Sequence, residues 1–332
     1  MADDLASWAA RRAPELLARA ESEAVAALRD ALIDAAVAER RTRVQLGESG
    51  RLARAQAAPA ERTESGDALW AYCVLHAEAD PPPPDVRGVA GGKLERVVVG
   101  DLAAIVSRVP LAEFGAEPLR ENLNDLAWLE KVARAHESVQ GRALEHGTLV
   151  PLRLCTIYES EKGVREMLER EHDALTQALD ALADREEWGA KLLVDGELLA
   201  EQARSQSAEA ADLEEELSTR TGGGAYMLRR RLERHVRDAA DSLAAELADQ
   251  VHAQLQDRAI DATVLPPQNP ELSGHAGQML LNGAYLVDAG SVARFRELAA
   301  ELEERHRAVG AKIELSGPWP PYNFVSGVGG LA

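Results

Sequence analysis

Cysteine is scarce: Cys73 and Cys155 are the two in 332 residues, far apart and outside any CxxC pair. A zinc site therefore has no framework, and no metal or other cofactor is expected. Both thiols lie in apolar runs, AYCVL and LRLCTIY, where a small buried side chain is the plain expectation. Basic residues are short too, 37 Lys and Arg against 56 Asp and Glu, for a net charge of −19. That balance repels phosphate backbones and anionic lipid, so neither nucleic acid nor a membrane surface is expected as a partner. No apolar run approaches the roughly 20 residues that span a bilayer. The N-terminus, MADDLASWAARR, carries acids where a secretion signal needs bases, and no apolar core follows. A cytoplasmic protein without a membrane span is expected.

Catalytic signatures are missing as well. HExxH, GxSxG, the P-loop and GxGxxG do not occur, and the eight histidines are scattered. The loop Gly88-Val89-Ala90-Gly91-Gly92 lacks the Lys-Ser/Thr pair that would follow in a phosphate cradle. His136 falls on the apolar face of a helical pattern, where a hydrogen-bonded core histidine is expected. The chain reads as a protein with no catalytic residues.

What is present is organised in four blocks. With 46% hydrophobic and 28% charged residues, the chain can bury the core of a globular protein with two domains. Residues 1–66 read as a helical extension with a thin Ala/Leu stripe (Leu17, Ala24, Leu28, Ala31, Ala35) and a linker over 47–66. Residues 67–196 alternate as β-β-β-α-β-α-β, an α+β domain with helices on one sheet face. Its features are ALWAYCVL, the hairpin LERVVVGDLAAIVSRV turning at Gly100-Asp101, a helix over about 121–145, and the single strand VPLRLCTIY. A helix capped by Ser160 and the closing strand AKLLV complete it. Residues 197–224, acid-rich and ending in Gly222-Gly223-Gly224, read as a linker or frayed helix. Residues 225–326 read α-β-β-α-β, a variant of the ferredoxin-like pattern.

Two groups of charges stand out as candidate partner contacts. Arg153 lies inside an apolar strand pattern, so it is either a paired core charge or a contact. Arg229, Arg230, Arg231, Arg234 and Arg237 crowd a helix start, which the macrodipole disfavours. An acidic neighbour is expected there: the upstream segment 209–216, or a partner.

Near the end of the sequence stands GPWPPYNFV, residues 317–325, where Trp319, Tyr322 and Phe324 sit among Pro318, Pro320 and Pro321. Rigid extended backbone with closely spaced aromatics makes a docking element, either onto the protein's own body or onto a partner.

ELSGPWPPYNFV, residues 314–325, resembles the terminal signature of the gas vesicle GvpF/GvpL family, usually close to ELTGPWPPYSFV. In the expected order, VPLRLCTIY (150–158) is similar to that family's LPLRFGT, AYMLRRRLE (225–233) to its AYL-RR helix start, and LLNGAYLVD (280–288) to its LNAAYLV. Leu154-Cys155 stands where the family has Phe-Gly. The helical block 1–66 has no counterpart in the family pattern, and the F and L branches are not separated. The resemblance implies an accessory protein of gas vesicle formation with two α/β-type domains, the C-terminal one ferredoxin-like. It implies contact with the small apolar shell subunit GvpA and with other accessory Gvp proteins. A second reading, resting on fold analogy alone, is a cytoplasmic ligand-binding regulatory protein with a ferredoxin-like domain.

Overall fold

The computed structural model describes residues 66–80, 82–266 and 277–325. The helical extension expected over 1–66 lies, except for Gly66, outside the described residues. The chain forms two compact units: one runs to Ala183 and resumes at Pro320, the other spans Asp184–Trp319.

The first unit is built on strands β1 (Asp67–His76), β2 (Leu94–Val99), β3 (Leu102–Pro110), β4 (Val150–Pro151) and β5 (Ile157–Tyr158), in the order β2-β3-β1-β4 with β5 also on β1. All pairings are antiparallel. The β2–β3 hairpin turns at Gly100-Asp101, as the sequence predicts, with Gly100 at φ 58°. Two short helices, α1 (Leu111–Phe114) and α2 (Ala116–Asn122), lead to α3 (Leu126–Leu144). Asp125 caps α3 by accepting from the Ala127 and Trp128 amides at 3.0 and 3.2 Å. Val132, Val139 and Ala143 of α3 pack on Trp70, Tyr72 and Ile105. Each of the two valines, once buried, stabilises by about 1.5–3 kcal/mol.

The opposite face of this sheet is covered too. Leu69, Ala71, Val74, Ala104 and Val106 are buried, and the helices α4 (Glu161–Arg170) and α5 (His172–Leu182) pack on these strands. This corrects the expectation of helices on one face. ALWAYCVL is a continuous apolar run, which suits a strand enclosed on both sides.

The second unit holds β6 (Arg185–Val194), α6 (Gly196–Gln206), α7 (Ala208–Thr219), α8 (Gly223–Gln256), β7 (Asp261–Val264), β8 (Gln278–Asp288), α9 (Val292–Arg305) and β9 (Lys312–Trp319). Its antiparallel sheet has the order β7-β8-β6-β9. Leu247, Val251 and Leu255 of α8 and Phe295, Ala299 and Leu302 of α9 cover one face, against Leu192, Leu281 and Tyr285. After α9 the chain turns at Gly310, left-handed at φ 63°, as its place beyond a helix predicts.

Three expectations are revised. AKLLV belongs to β6, which pairs with β8 and β9, so this strand opens the second unit and does not close the first. Residues 197–224 are mostly helical: Asp195 caps α6 through the Glu197 amide at 2.8 Å, and Ser207 caps α7 through the Ala210 amide at 3.2 Å. VPLRLCTIY is two short strands around a turn, closed by the Thr156 amide on the Arg153 carbonyl at 3.2 Å with Cys155 at φ 64°. A turn of that kind favours glycine at its third position, the place where the resembling family has Gly.

Candidate docking surface

The terminal aromatics separate. Trp319 ends β9 in the second unit, half exposed, with its indole N–H donating to Ser316 Oγ at 3.1 Å. Tyr322 and Phe324 form a short 3-10 turn in the first unit. Tyr322 is 38% exposed, yet its hydroxyl reaches Gln140, His136 and the Leu152 carbonyl. It donates to Gln140 Oε1 at 2.6 Å, and burial pushes its pKa well above the ordinary tyrosine value.

Gln140 belongs to a closed polar network around α3. Its amide donates to the carbonyls of Tyr72 at 2.6 Å and Leu152 at 3.1 Å. Trp70 Nε1–H donates to His136 Nδ1 at 2.9 Å, so the imidazole proton is on Nε2, which reaches the Leu152 carbonyl at 3.0 Å. Burial holds the His136 pKa down at about 4, keeping the ring neutral. Beside it, the Tyr72 and Ser107 hydroxyls are 2.6 Å apart, and the Val89 amide donates to Tyr72 Oη at 2.7 Å. The glycine loop 88–92 thus folds over Tyr72: a Cβ on Gly88 would come within 2.2 Å of that hydroxyl. This site is full, and Tyr322 is used inside it.

Arg153 is exposed in its turn, which corrects the reading of a charge inside an apolar strand. Beyond Pro151 the Leu152 amide donates to Tyr72 O at 2.9 Å, and bonding to β1 resumes at the Thr156 carbonyl, which accepts from the Ala71 amide at 2.9 Å. Cys155, mostly enclosed, has its thiol pushed up to about 12 by burial, which leaves it protonated and unreactive at neutral pH. Cys73 is buried in the same condition. Among the described residues no group of three His, Cys, Asp or Glu side chains could hold a metal.

The remaining candidates, Arg229 and Arg230, lie on α8. This helix has 34 residues, about 51 Å at 1.5 Å per residue. Its second half lies on the sheet. Its first half packs with α7 in a separate small cluster of Ala210, Leu213 and Leu232. A clasp joins the two helices: Ser207 Oγ lies 2.6 Å from His235 Nε2, His235 Nδ1 lies 3.5 Å from Glu209, and Arg231 donates to Glu209 at 2.9 Å. The acidic segment therefore supplies a neighbour to one arginine of the cluster. Sequence reasoning missed Tyr226 and Met227, which stand 58% and 68% exposed just after Gly222-Gly223-Gly224. Their signal was an apolar pair at a helix start with no partner at helical spacing. The Arg230 guanidinium sits 5.9 Å from the Tyr226 ring centroid, a cation–π stack.

Two antiparallel sheets with helical cover define a mixed α and β protein. The family model for the gas vesicle synthesis protein GvpL/GvpF matches residues 68–326, and the chain belongs to that family. It is 37% identical to gas vesicle protein L of Streptomyces sp. (strain CB03234) over 73% of this chain and 86% of that one. With gas vesicle protein F of the same strain it shares 28% identity, over 74% of this chain and 90% of the other. The crystal structure of the gas vesicle protein GvpF from Anabaena sp. PCC7120 superposes with a TM-score of 0.54 at 17% identity, covering 79% of this chain and 97% of that one. No helix among the described residues is long and apolar enough to cross a membrane.

Proposed function

We propose that this protein is an accessory factor of gas vesicle formation that binds the apolar shell subunit as a chaperone-like adaptor in the cytoplasm. Family membership over residues 68–326 carries the reading. A wall that faces gas needs a subunit with a large apolar surface, which aggregates unless covered. A chain of net charge −19 keeps such a complex dispersed.

In this reading the first unit holds the shell subunit along a sheet edge. The supporting feature is β2, an edge strand with Val98 exposed on it. The second unit is a ferredoxin-like domain that contacts other accessory proteins. Its β-α-β-β-α-β order and strand order β7-β8-β6-β9 support that fold, with β6 supplying the strand missing from residues 225–326.

The test is to co-produce the tagged chain with the shell subunit and to measure shell protein in the soluble fraction and the eluate. Soluble, co-eluting shell protein, reduced by Val98→Lys, is the expected result. Shell protein that stays insoluble with the wild-type chain contradicts the function. Recovery unchanged by Val98→Lys contradicts the edge assignment.

A further inference from the structure

Among the described residues, the first half of α8 carries a stripe that neither the unit's core nor its ion pairs use. Tyr226, Arg230, Arg234 and Arg237 follow one another at spacings of four, four and three, so they share a face. All four are exposed, with Met227 beside them. Between positions 229 and 237, Arg231 alone among the arginines has a carboxylate within ion-pair distance among the described residues. Arg230 and Arg234 are like charges one turn apart, a mutually unfavourable pair. The early helical turns add the positive end of the macrodipole. This cationic strip belongs to a chain whose net charge is −19, so it is a local reversal of the protein's field.

Geometry also favours docking here. The cluster under this half of the helix is small: Ala210, Leu213 and Leu232 are its buried members. The Arg230–Tyr226 stack fixes an aromatic ring beside the charges. Tyr, Met and Arg are the side chains that anchor protein interfaces, and a ring already held in place loses little entropy on binding.

We infer that the Tyr226–Arg237 face of α8 docks an acidic protein segment that brings carboxylates to Arg230 and Arg234 and an apolar side chain to Tyr226 and Met227. The inference deepens the proposed adaptor role by giving the second unit a partner chemistry. Charge complementarity selects that occupant: a second copy of this chain carries the same excess of acid that makes copies repel, and an apolar anchor has no use on a nucleic acid backbone.

The experiment uses the full chain and a fluorescent helical peptide alternating Glu with Leu at helical spacing. A matched peptide with Gln for Glu and a single-stranded oligonucleotide serve as controls, read by anisotropy. The expected result is binding of the Glu peptide that weakens with salt and falls about tenfold or more in R230E/R234E. Met227→Ser should weaken it too, with circular dichroism unchanged in both variants. Equal binding of the Gln peptide, tighter binding of the oligonucleotide, or self-association abolished by R230E/R234E would each overturn the inference. Shell-subunit recovery by R230E/R234E distinguishes the two claims: recovery kept while peptide binding never occurs sinks this inference and leaves the proposed function standing.

Discussion

The Tyr322 hydroxyl donates to Gln140 Oε1 at 2.6 Å, a bond between residues 182 positions apart in the chain. Gln140 is fully buried and spends its two amide protons on backbone carbonyls, so Tyr322 completes its hydrogen bonding. The last described turn of the protein is thereby part of the first unit's polar core, and the strap reading of the terminal motif follows for Tyr322.

Tyr322→Phe removes that donor while keeping the ring. A buried acceptor left unpaired costs about 1–3 kcal/mol, so the denaturation midpoint should fall with the slope unchanged. If Tyr322 is instead a partner contact, the variant loses binding and keeps its stability.

His136 makes stability depend on acid. Its folded pKa is about 4 against an ordinary value of 6.5, so the neutral ring contributes stability fully present above pH 6.5. That contribution is lost as pH falls towards 4, by about 2 kcal/mol at pH 5. His136→Gln, which can accept from Trp70 and donate to Leu152, should flatten the stability profile between pH 6.5 and 4. An unchanged slope would refute the assignment.

Cys155 occupies a left-handed turn position at φ 64°. Cys155→Gly should be more stable than Cys155→Ala by about 1 kcal/mol, the reverse of the order found on ordinary backbone. Urea melts of the two variants decide it.

Gly88→Ala places a methyl group 2.2 Å from the Tyr72 hydroxyl and 2.6 Å from Ser107 Oγ. The loop must lift, breaking the Val89–Tyr72 bond, at a cost of about 1–3 kcal/mol. Amide exchange at Val89 should accelerate ahead of the rest of the unit.

Local pattern made much of this legible. The β2–β3 hairpin and β8 stand where periodicity puts them. The single helix expected after Ser160 is two, α4 and α5, broken at Glu171, and Ser160 makes no side-chain cap bond; its apolar residues Val164, Leu168, Leu175, Leu179 and Leu182 are nonetheless all buried. What failed was non-local. β6 looks like the end of one domain because its partners, β8 and β9, come some ninety and more residues later. Helices α6 and α7 hide behind their acids, although Asp195 and Ser207 are ordinary capping residues. Arg153 was misplaced because an apolar run conceals the turn at Cys155. In the candidate sites, the five arginines were visible but not which one Glu209 would engage, since that is settled by the crossing of α7 and α8.

The most direct measurement is vesicle yield in a cell that makes gas vesicles, with this gene deleted and then restored, read as pressure-sensitive light scattering. The account predicts that scattering collapses on deletion, that the shell subunit turns insoluble, and that the full chain restores both. Normal vesicle numbers with a soluble shell subunit in the deletion strain would contradict it.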